Sequence, residues 1–310
     1  MEEIRGRIIG SGFTGELRLD EPLAGHTSLR VGGPASLFAL PAGVGDLVLI
    51  LALLAGEKVP WMVLGGGTNV VFADEGYHGC VIHLSREVRG WGGIRRDKEM
   101  LEAGAAALMP NVVSRAAREG LAGLECLADI PGTVGGALRM NAGTRSGQMA
   151  DVVEQVRLLE GTGDSDGGGQ GARWVPGSGI GFAYRSSGLT AGQIVLAVRF
   201  RLKPDDPDAV RARVTEQARL RRKSQPLGAA SAGCWFKNPA GDSAGRLIDA
   251  AGLIGMTCGG ARVSDVHANF LVNTGSATAA DFLELAEMVR QGVRERFGIE
   301  LEDEVRVIHG

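Results

Sequence analysis

Runs of apolar residues along this chain follow two periods, and glycine marks most of the changes between them. In DLVLILALLAGEKV (46–59) the apolar run opens on an aspartate suited to an N-cap and ends near Gly56, which predicts a helix. WMVL (61–64) is a short apolar strand that enters the turn LGGGTN (64–69) and is followed by a second short run, then by CVIHLS (80–85) as a strand. MPNVVSRAAREGLAGLE predicts a helix with Pro110 in its first turn and an end near Gly120. DVVEQVRLLEG and QIVLAVRFRL (193–202) predict strands, separated by the low-complexity stretch GTGDSDGGGQGARW (161–174), which reads as a flexible loop. The pattern changes at KPDDPD (203–208). Beyond it lie a basic helix, AVRARVTEQARLRRKSQ, a shorter helix, GRLIDAAGL, a strand, ANFLVNT, and the long helix TAADFLELAEMVRQGVRERFG with Thr278 as N-cap. EVRVIHG predicts a closing strand. No internal repeat is visible, and the mixture predicts an α+β protein with a large N-terminal part and a smaller C-terminal domain.

Composition narrows the classes. A chain of 310 residues exceeds one simple core and predicts two or three domains. With 44% hydrophobic and 22% charged residues it has the make-up of a folded globular protein. The net charge of -3 supplies no basic field for nucleic acid or acidic lipid. Cys80, Cys126, Cys234 and Cys258 form no C-x-x-C pair, and His26, His78 and His83 show no ligand spacing, so neither a metal site nor a disulfide framework is expected. The first residues lack the apolar core of a signal peptide, and the longest apolar run, LVLILALLA, is far short of the roughly 20 residues that span a bilayer. The expectation is a cytoplasmic protein in a reducing compartment, without membrane insertion.

The 49 glycines are roughly twice the usual share and do change the picture. Three glycines in LGGGTN suit a turn whose backbone N–H groups converge on an anion, although no Walker lysine follows and a tight surface turn is the plain alternative. IPGTVGGALRMNAG (130–143) and SLRVGGPA (28–35) add two further glycine loops. Three in one region suggest an extended ligand with a pyrophosphate, held mostly through the backbone; a dinucleotide fits better than a mononucleotide. SAGCWFKNP (231–239) then poses a separate question. Cys234 is a buried small hydrophobe, a metal ligand or a group that handles a proton.

HTSLRVGGPA, LGGGTNVVFAD, GLECLADIPGTVGGALRMNAG, FAYRSS, SAGCWFKNP, HANFLVN and LEDEVRVI, in that order from about His26 to Ile308, resemble the motif series of the UDP-N-acetylenolpyruvoylglucosamine reductases. These are the MurB-type flavoenzymes of peptidoglycan precursor synthesis. The short span between FAYRSS and SAGCWFKNP is similar to that of the type II subgroup. The resemblance implies a two-part FAD-binding region of the vanillyl-alcohol-oxidase (PCMH) type, residues 1–203 with subdomains of roughly 1–75 and 76–203. It further implies a smaller C-terminal α+β substrate domain for the UDP-sugar, 204–300, and a terminal strand, 301–310, returning to the active site.

By the same resemblance NADPH gives a hydride to flavin N5, and the reduced flavin passes it to the enolpyruvyl double bond. Negative charge then develops on the carbon bearing the carboxylate and ether oxygen, which calls for a pre-aimed cation and a positioned acid. Gly65, Gly66, Gly67, Thr68 and Asn69 are implied at the pyrophosphate; Gly132, Thr133, Gly135, Gly136 and Ala137 at the remainder of the dinucleotide, with Arg30 and Asn141 as further cofactor residues. Arg185, Cys234 and Glu304 match the catalytic positions, Glu304 being preferred over Glu302 because it directly precedes the final strand. Relatives are expected to carry serine where Cys234 stands; a thiol, with reference pKa near 8.5, is the stronger acid. Tyr184, Lys237, Asn238, His267 and Asn269 are implied as substrate contacts. An FAD-dependent oxidase of the same flavin fold acting on a sugar or alcohol, and a nucleotide-binding regulatory module without turnover, are the alternatives.

Overall fold

The computed structural model describes residues 1–161 and 171–310, so the predicted loop at 161–174 falls largely outside the described residues. The chain divides into two compact units, Met1–Leu19 with Leu37–Gly66 and Gly79–Leu220, and Asp20–Ser36 with Gly67–His78 and Arg221–Gly310. Among the described residues no helix is long and apolar enough to cross a membrane, and no group of three or more His, Cys, Asp or Glu is placed to hold a metal ion.

The first unit is built on an antiparallel five-stranded sheet in the order Arg173–Pro176, Val153–Glu160, Gln193–Arg201, Met100–Gly104, Ile94–Asp97. Its core includes Val156, Leu158, Val198, Phe200, Leu101 and Ala103. A second, four-stranded sheet ends in a parallel pair, Trp61–Leu64 beside Tyr77–His83, and leads directly into the first glycine loop. Helix Met109–Arg118 buries Met109, Val112, Val113, Ala116 and Ala117, one stripe at helical spacing, with Pro110 in the first turn as predicted. Two features depart from expectation. Helix Glu2–Gly10 was not predicted, because Gly6 and Gly10 break up a segment in which only Ile8 is buried. Within the second glycine loop, Val134–Arg139 closes into a short helix capped by Thr133, whose Oγ1 accepts the Gly136 N–H.

Asp46 also departs from its predicted role. The helix runs Val44–Gly56 and its N-cap is Gly43, so Asp46 lies in the first turn. Its carboxylate reaches back to accept N–H bonds from Ala42 at 2.9 Å and Thr14 at 3.1 Å, and the Thr14 hydroxyl at 3.0 Å. Burial would raise its pKa, but the hydrogen bonds from Ala42, Thr14 and Gly15 outweigh it and hold the group below the ordinary carboxylate value. A depressed folded pKa stabilises the fold above the unfolded pKa and is lost as pH falls through the folded one. Asp46→Ala is therefore expected to lower stability at pH 7 by about 2 kcal/mol, since part-buried hydrogen bonds to a charged acceptor are lost. Denaturant unfolding of parent and variant should converge as the pH drops below about 4; a gap unchanged by acid would contradict the account.

The second unit packs a four-stranded sheet, Ala230–Cys234, Phe270–Asn273, Ala261–Val263, Thr257–Cys258, against helix Ala279–Phe297. That helix presents Phe282, Leu285, Ala286, Val289 and Val293 to a core that also holds Trp235, Phe236, Leu247 and Ile248. Thr278 caps it as predicted, in a reciprocal box with Asp281, while Asp74 accepts the N–H groups of Ala279 and Ala280 at 2.9 Å. All the early donors of the helix are thereby satisfied. The predicted terminal strand is shorter than EVRVIHG: only Arg306–Ile308 pairs, parallel to Val70–Phe72. Glu304 and Val305 stay out of the ladder because their N–H groups turn to the Trp235 carbonyl.

Candidate active site

Two glycine loops meet in the first unit. A Cβ on Gly65 would stand 2.7 Å from Thr133 Oγ1, and one on Gly66 would stand 2.9 Å from the Gly132 Cα, so side chains are excluded from the first loop where it meets the second. Gly132 has φ +104°, and Gly66 and Gly136 are exposed, leaving a surface of bare backbone. The inner donors are already engaged: Gly135 N–H goes to Ala105 O at 2.9 Å and Ala137 N–H to Thr133 O at 2.8 Å. Thr133 and Ala137 are buried beneath the loop. The result is a strip that an extended anion can approach closely, which is the shape required of a dinucleotide cradle.

Arg185 stands at the tip of a tight hairpin in the same unit. Ala183 and Ser186 exchange both backbone hydrogen bonds, at 2.9 and 3.1 Å, with Tyr184 and Arg185 between them. Arg185 takes φ +57°, a left-handed conformation unusual for arginine and of the kind stored at functional sites. Its guanidinium lies 5.3 Å from the ring centre of the exposed Tyr184 and donates to Gly143 O at 3.2 Å. Beneath the hairpin, Asn141 is buried, with φ +43°. It donates to Ala183 O and Gln148 Oε1, both at 3.0 Å, and accepts the Ala150 N–H at 3.0 Å.

In the second unit Gly67 continues the first loop at φ +61°, where a Cβ would overlap the His26 carbonyl, and its own carbonyl accepts the Ser28 N–H at 3.0 Å. Thr68 is half-buried; Arg30 is exposed at φ +59° on the turn it closes with Thr27. Asn69 donates through Nδ2 to the Glu304 carbonyl at 3.1 Å, and its carbonyl accepts the Arg306 N–H.

Cys234, half-buried, ends a strand whose register slips by one residue. Ala230 and Ser231 pair with Asn273 and Val272, but Cys234 pairs with Phe270. The extra residue is accommodated at Gly233, φ +81°. Because side chains alternate along a strand, the bulge reverses the face that Cys234 would otherwise take. Gly233→Ala meets no neighbouring atom but is strained by its backbone angle, so it should cost about 1 kcal/mol in denaturant unfolding. Equal stability of the alanine variant would show that the bulge does not depend on glycine.

Past the bulge, the Asn269 side chain accepts the Phe236 N–H at 2.9 Å and donates to the Phe236 carbonyl at 2.8 Å, while Trp235 N–H goes to Asn269 O. Glu304 N–H donates to Trp235 O at 2.7 Å, so the glutamate segment lies beside the residue that follows Cys234. Glu302, by contrast, is 75% exposed and paired with Lys237 Nζ at 3.1 Å. That pairing gives Lys237 a counter-charge. Asn238 is exposed and accepts the Ala244 N–H; His267 accepts the Asn269 N–H on Nδ1 and lies edge-on to Phe270. Burial lowers the His267 pKa, which keeps the ring neutral at pH 7. A residue missed from sequence is Arg290, on the long helix, which donates to Leu301 O at 3.0 Å and to Asp303 at 2.9 Å and so anchors the tail before Glu304. Only its place on a helix face marked it.

Comparison with known proteins accords with this geometry. Residues 35–165 match the family described as FAD binding domain, and residues 225–308 match the family described as UDP-N-acetylenolpyruvoylglucosamine reductase, C-terminal domain. The crystal structure of UDP-N-acetylenolpyruvylglucosamine reductase from Thermus caldophilus is 40% identical with TM-score 0.78, covering 96% of this chain and 99% of that one. A glucose dehydrogenase, Phl p 4.0202, shares the fold alone, at 17% identity and TM-score 0.50 over 66% of this chain and 44% of that one. Fold and glycine strip thus define an FAD-binding flavoprotein of the PCMH type with a C-terminal α+β domain. The UDP-N-acetylenolpyruvoylglucosamine reductase of Geobacter metallireducens is 45% identical over 95% of this chain and 94% of its own, and that of Geotalea uraniireducens 42% identical over 99% and 98%. The chain belongs to the UDP-N-acetylenolpyruvoylglucosamine reductase family.

Proposed function

We propose that this protein reduces UDP-N-acetylglucosamine enolpyruvate to UDP-N-acetylmuramate, with NADPH as reductant and FAD as bound cofactor, in peptidoglycan precursor synthesis. The observation that carries the reading is 45% identity, over 95% of this chain, to a reductase of that name. The bare-backbone strip at Gly65, Gly66, Gly132 and Gly136 fits a dinucleotide pyrophosphate, and a side chain at Gly65 or Gly66 would collide with the second glycine loop. Residues 1–203 form the FAD-binding region, 204–300 take the UDP-sugar, and 301–310 carry Glu304. The protein works in the cytoplasm.

Bound FAD supplies hydride relay from NADPH to the terminal carbon of the enolpyruvyl group. The chain supplies the rest. Gly67, Thr68, Thr133, Gly135, Ala137 and Arg30 frame the cofactor region, while Tyr184, Lys237, Asn238 and His267 contact the UDP-sugar. The Arg185 guanidinium pairs with the substrate carboxylate as negative charge develops beside it. The Cys234 thiol gives its proton to the carbon bearing the carboxylate and ether oxygen, and is then reprotonated from water. Glu304 completes the set, held one residue from Cys234 through the Trp235 carbonyl.

The purified protein is expected to be yellow, to bleach with NADPH under argon, and to regain colour under argon when the enolpyruvyl UDP-sugar is added. Recolouring only with oxygen would indicate an oxidase. Colourless protein that resists FAD loading would indicate a binding module. Either result overturns the reading.

A further inference from the structure

Three asparagines lie in motifs that suggest ligand contacts, and in each case the structure directs the side-chain amide to backbone. Asn269 grips both the N–H and the C=O of Phe236, at 2.9 and 2.8 Å, while buried to 2% exposure. The strand carrying Cys234 has its last ladder pair at Phe270, just after the bulge, so this amide continues the ladder where strand pairing stops. Asn141, also 2% exposed, places one amide hydrogen on Ala183 O in the Arg185 hairpin and the other on Gln148. Two residues on, Gly143 O receives the Arg185 guanidinium, so one turn supports that hairpin at two points. Asn69 places its amide on the Glu304 carbonyl itself, and its own carbonyl holds the next strand through Arg306 N–H.

The residue type suits the task. A primary amide carries donor and acceptor in one plane without charge. Aspartate of the same size cannot donate to a carbonyl, and glutamine is one methylene too long for the same reach. At Asn141 the left-handed backbone is a further reason, since asparagine tolerates φ above zero better than most residues.

We propose that Asn69, Asn141 and Asn269 are positioning residues for the reduction step, each fixing the backbone of the segment that bears Glu304, Arg185 or Cys234. This rests on the roles given above to those three groups. It assigns Asn69 and Asn141 a task other than holding FAD through their side chains, and Asn269 one other than holding the UDP-sugar.

The test uses full-length holoenzyme with Asn→Asp at each position, and Asn→Ala where the aspartate variant does not fold. FAD content, anaerobic flavin reduction by NADPH and flavin reoxidation by the enolpyruvyl UDP-sugar are measured separately. Expected are full FAD content, reduction within about twofold of the parent, and reoxidation slowed about 10- to 100-fold, the scale on which a misplacement of about 1 Å acts. Asn269→Asp combined with Cys234→Ala should lose no more than the worse single variant, because a residue acting through the thiol adds nothing once the thiol is gone. Loss of FAD, an equal fall in both half-reactions, or additive losses would overturn the proposal. Cys234→Ala alone separates the two levels. If it is slow while the asparagine variants reoxidise at the parental rate, only positioning fails; if it reoxidises at the parental rate, the acid role of Cys234 fails and the positioning role of Asn269 with it.

Discussion

Cys234→Ala is expected to slow reoxidation of the reduced flavin by the enolpyruvyl UDP-sugar by about 10²- to 10⁴-fold, the usual worth of a positioned acid. Flavin reduction by NADPH should stay within about twofold, because that half-reaction requires no proton at the substrate carbon. Cys234→Ser should keep substantial activity, since a hydroxyl at the same atom can deliver a proton, although its intrinsic acidity is far lower than that of a thiol. The cysteine also creates a vulnerability. Burial pushes the Cys80 thiol up to about 12 and, with Asp151 and Glu125 nearby, the Cys126 thiol up to about 11; Cys258 is raised as well. These thiols are poor nucleophiles at pH 7–8. Iodoacetamide inactivation should therefore track Cys234, and substrate should protect. Parental reoxidation in the alanine variant, or undiminished inactivation of Cys234→Ser, would remove the thiol from the acid role.

How far the sequence revealed this site depends on the scale of the interaction that fixes each part. Interactions closed within a few residues were legible. Thr278 and Asp281 sit three apart at the head of an apolar-striped run, and they form the box that their spacing implies. The glycine runs were legible as turns of bare backbone, but that Gly65 and Gly66 press against the second glycine loop, Gly66 on Gly132 itself, was not. Parts that depend on distant partners were not. Asp46 has the residue type of an N-cap, yet its acceptors are used by Thr14, which lies 32 residues away. The bulge at Gly233 is defined only against Phe270 and Val272, so its reversal of Cys234 cannot be read along one strand. The asparagines are the clearest case. Their presence in ligand motifs was visible, but Asn69 meets Glu304 across 235 residues and Asn141 meets Ala183 across 42. Sequence therefore marked the residues that matter near the site more reliably than it separated ligand contacts from supports.

Arg185→Gly and Arg185→Ala should separate catalysis from backbone strain. Both remove the guanidinium, so both should slow flavin reoxidation by the enolpyruvyl UDP-sugar by about 10²- to 10³-fold, the range found when one pre-aimed stabilising donor is deleted. Their stabilities should differ. Arg185 is held at φ +57° by the two hydrogen bonds between Ala183 and Ser186, and any L residue with a Cβ pays about 1 kcal/mol to stay there. Glycine does not, so the glycine variant should unfold at higher denaturant than the alanine variant by that amount. Arg185→Lys keeps the charge but loses the planar fork that matches a carboxylate, and should recover only part of the rate. The cavity left in Arg185→Gly suggests one more readout: added guanidinium ion should restore part of the substrate half-reaction and leave reduction by NADPH unchanged. Equal stability of the glycine and alanine variants would show that the hairpin stores no strain. A glycine variant that reoxidises at the parental rate would show that the substrate carboxylate is held elsewhere.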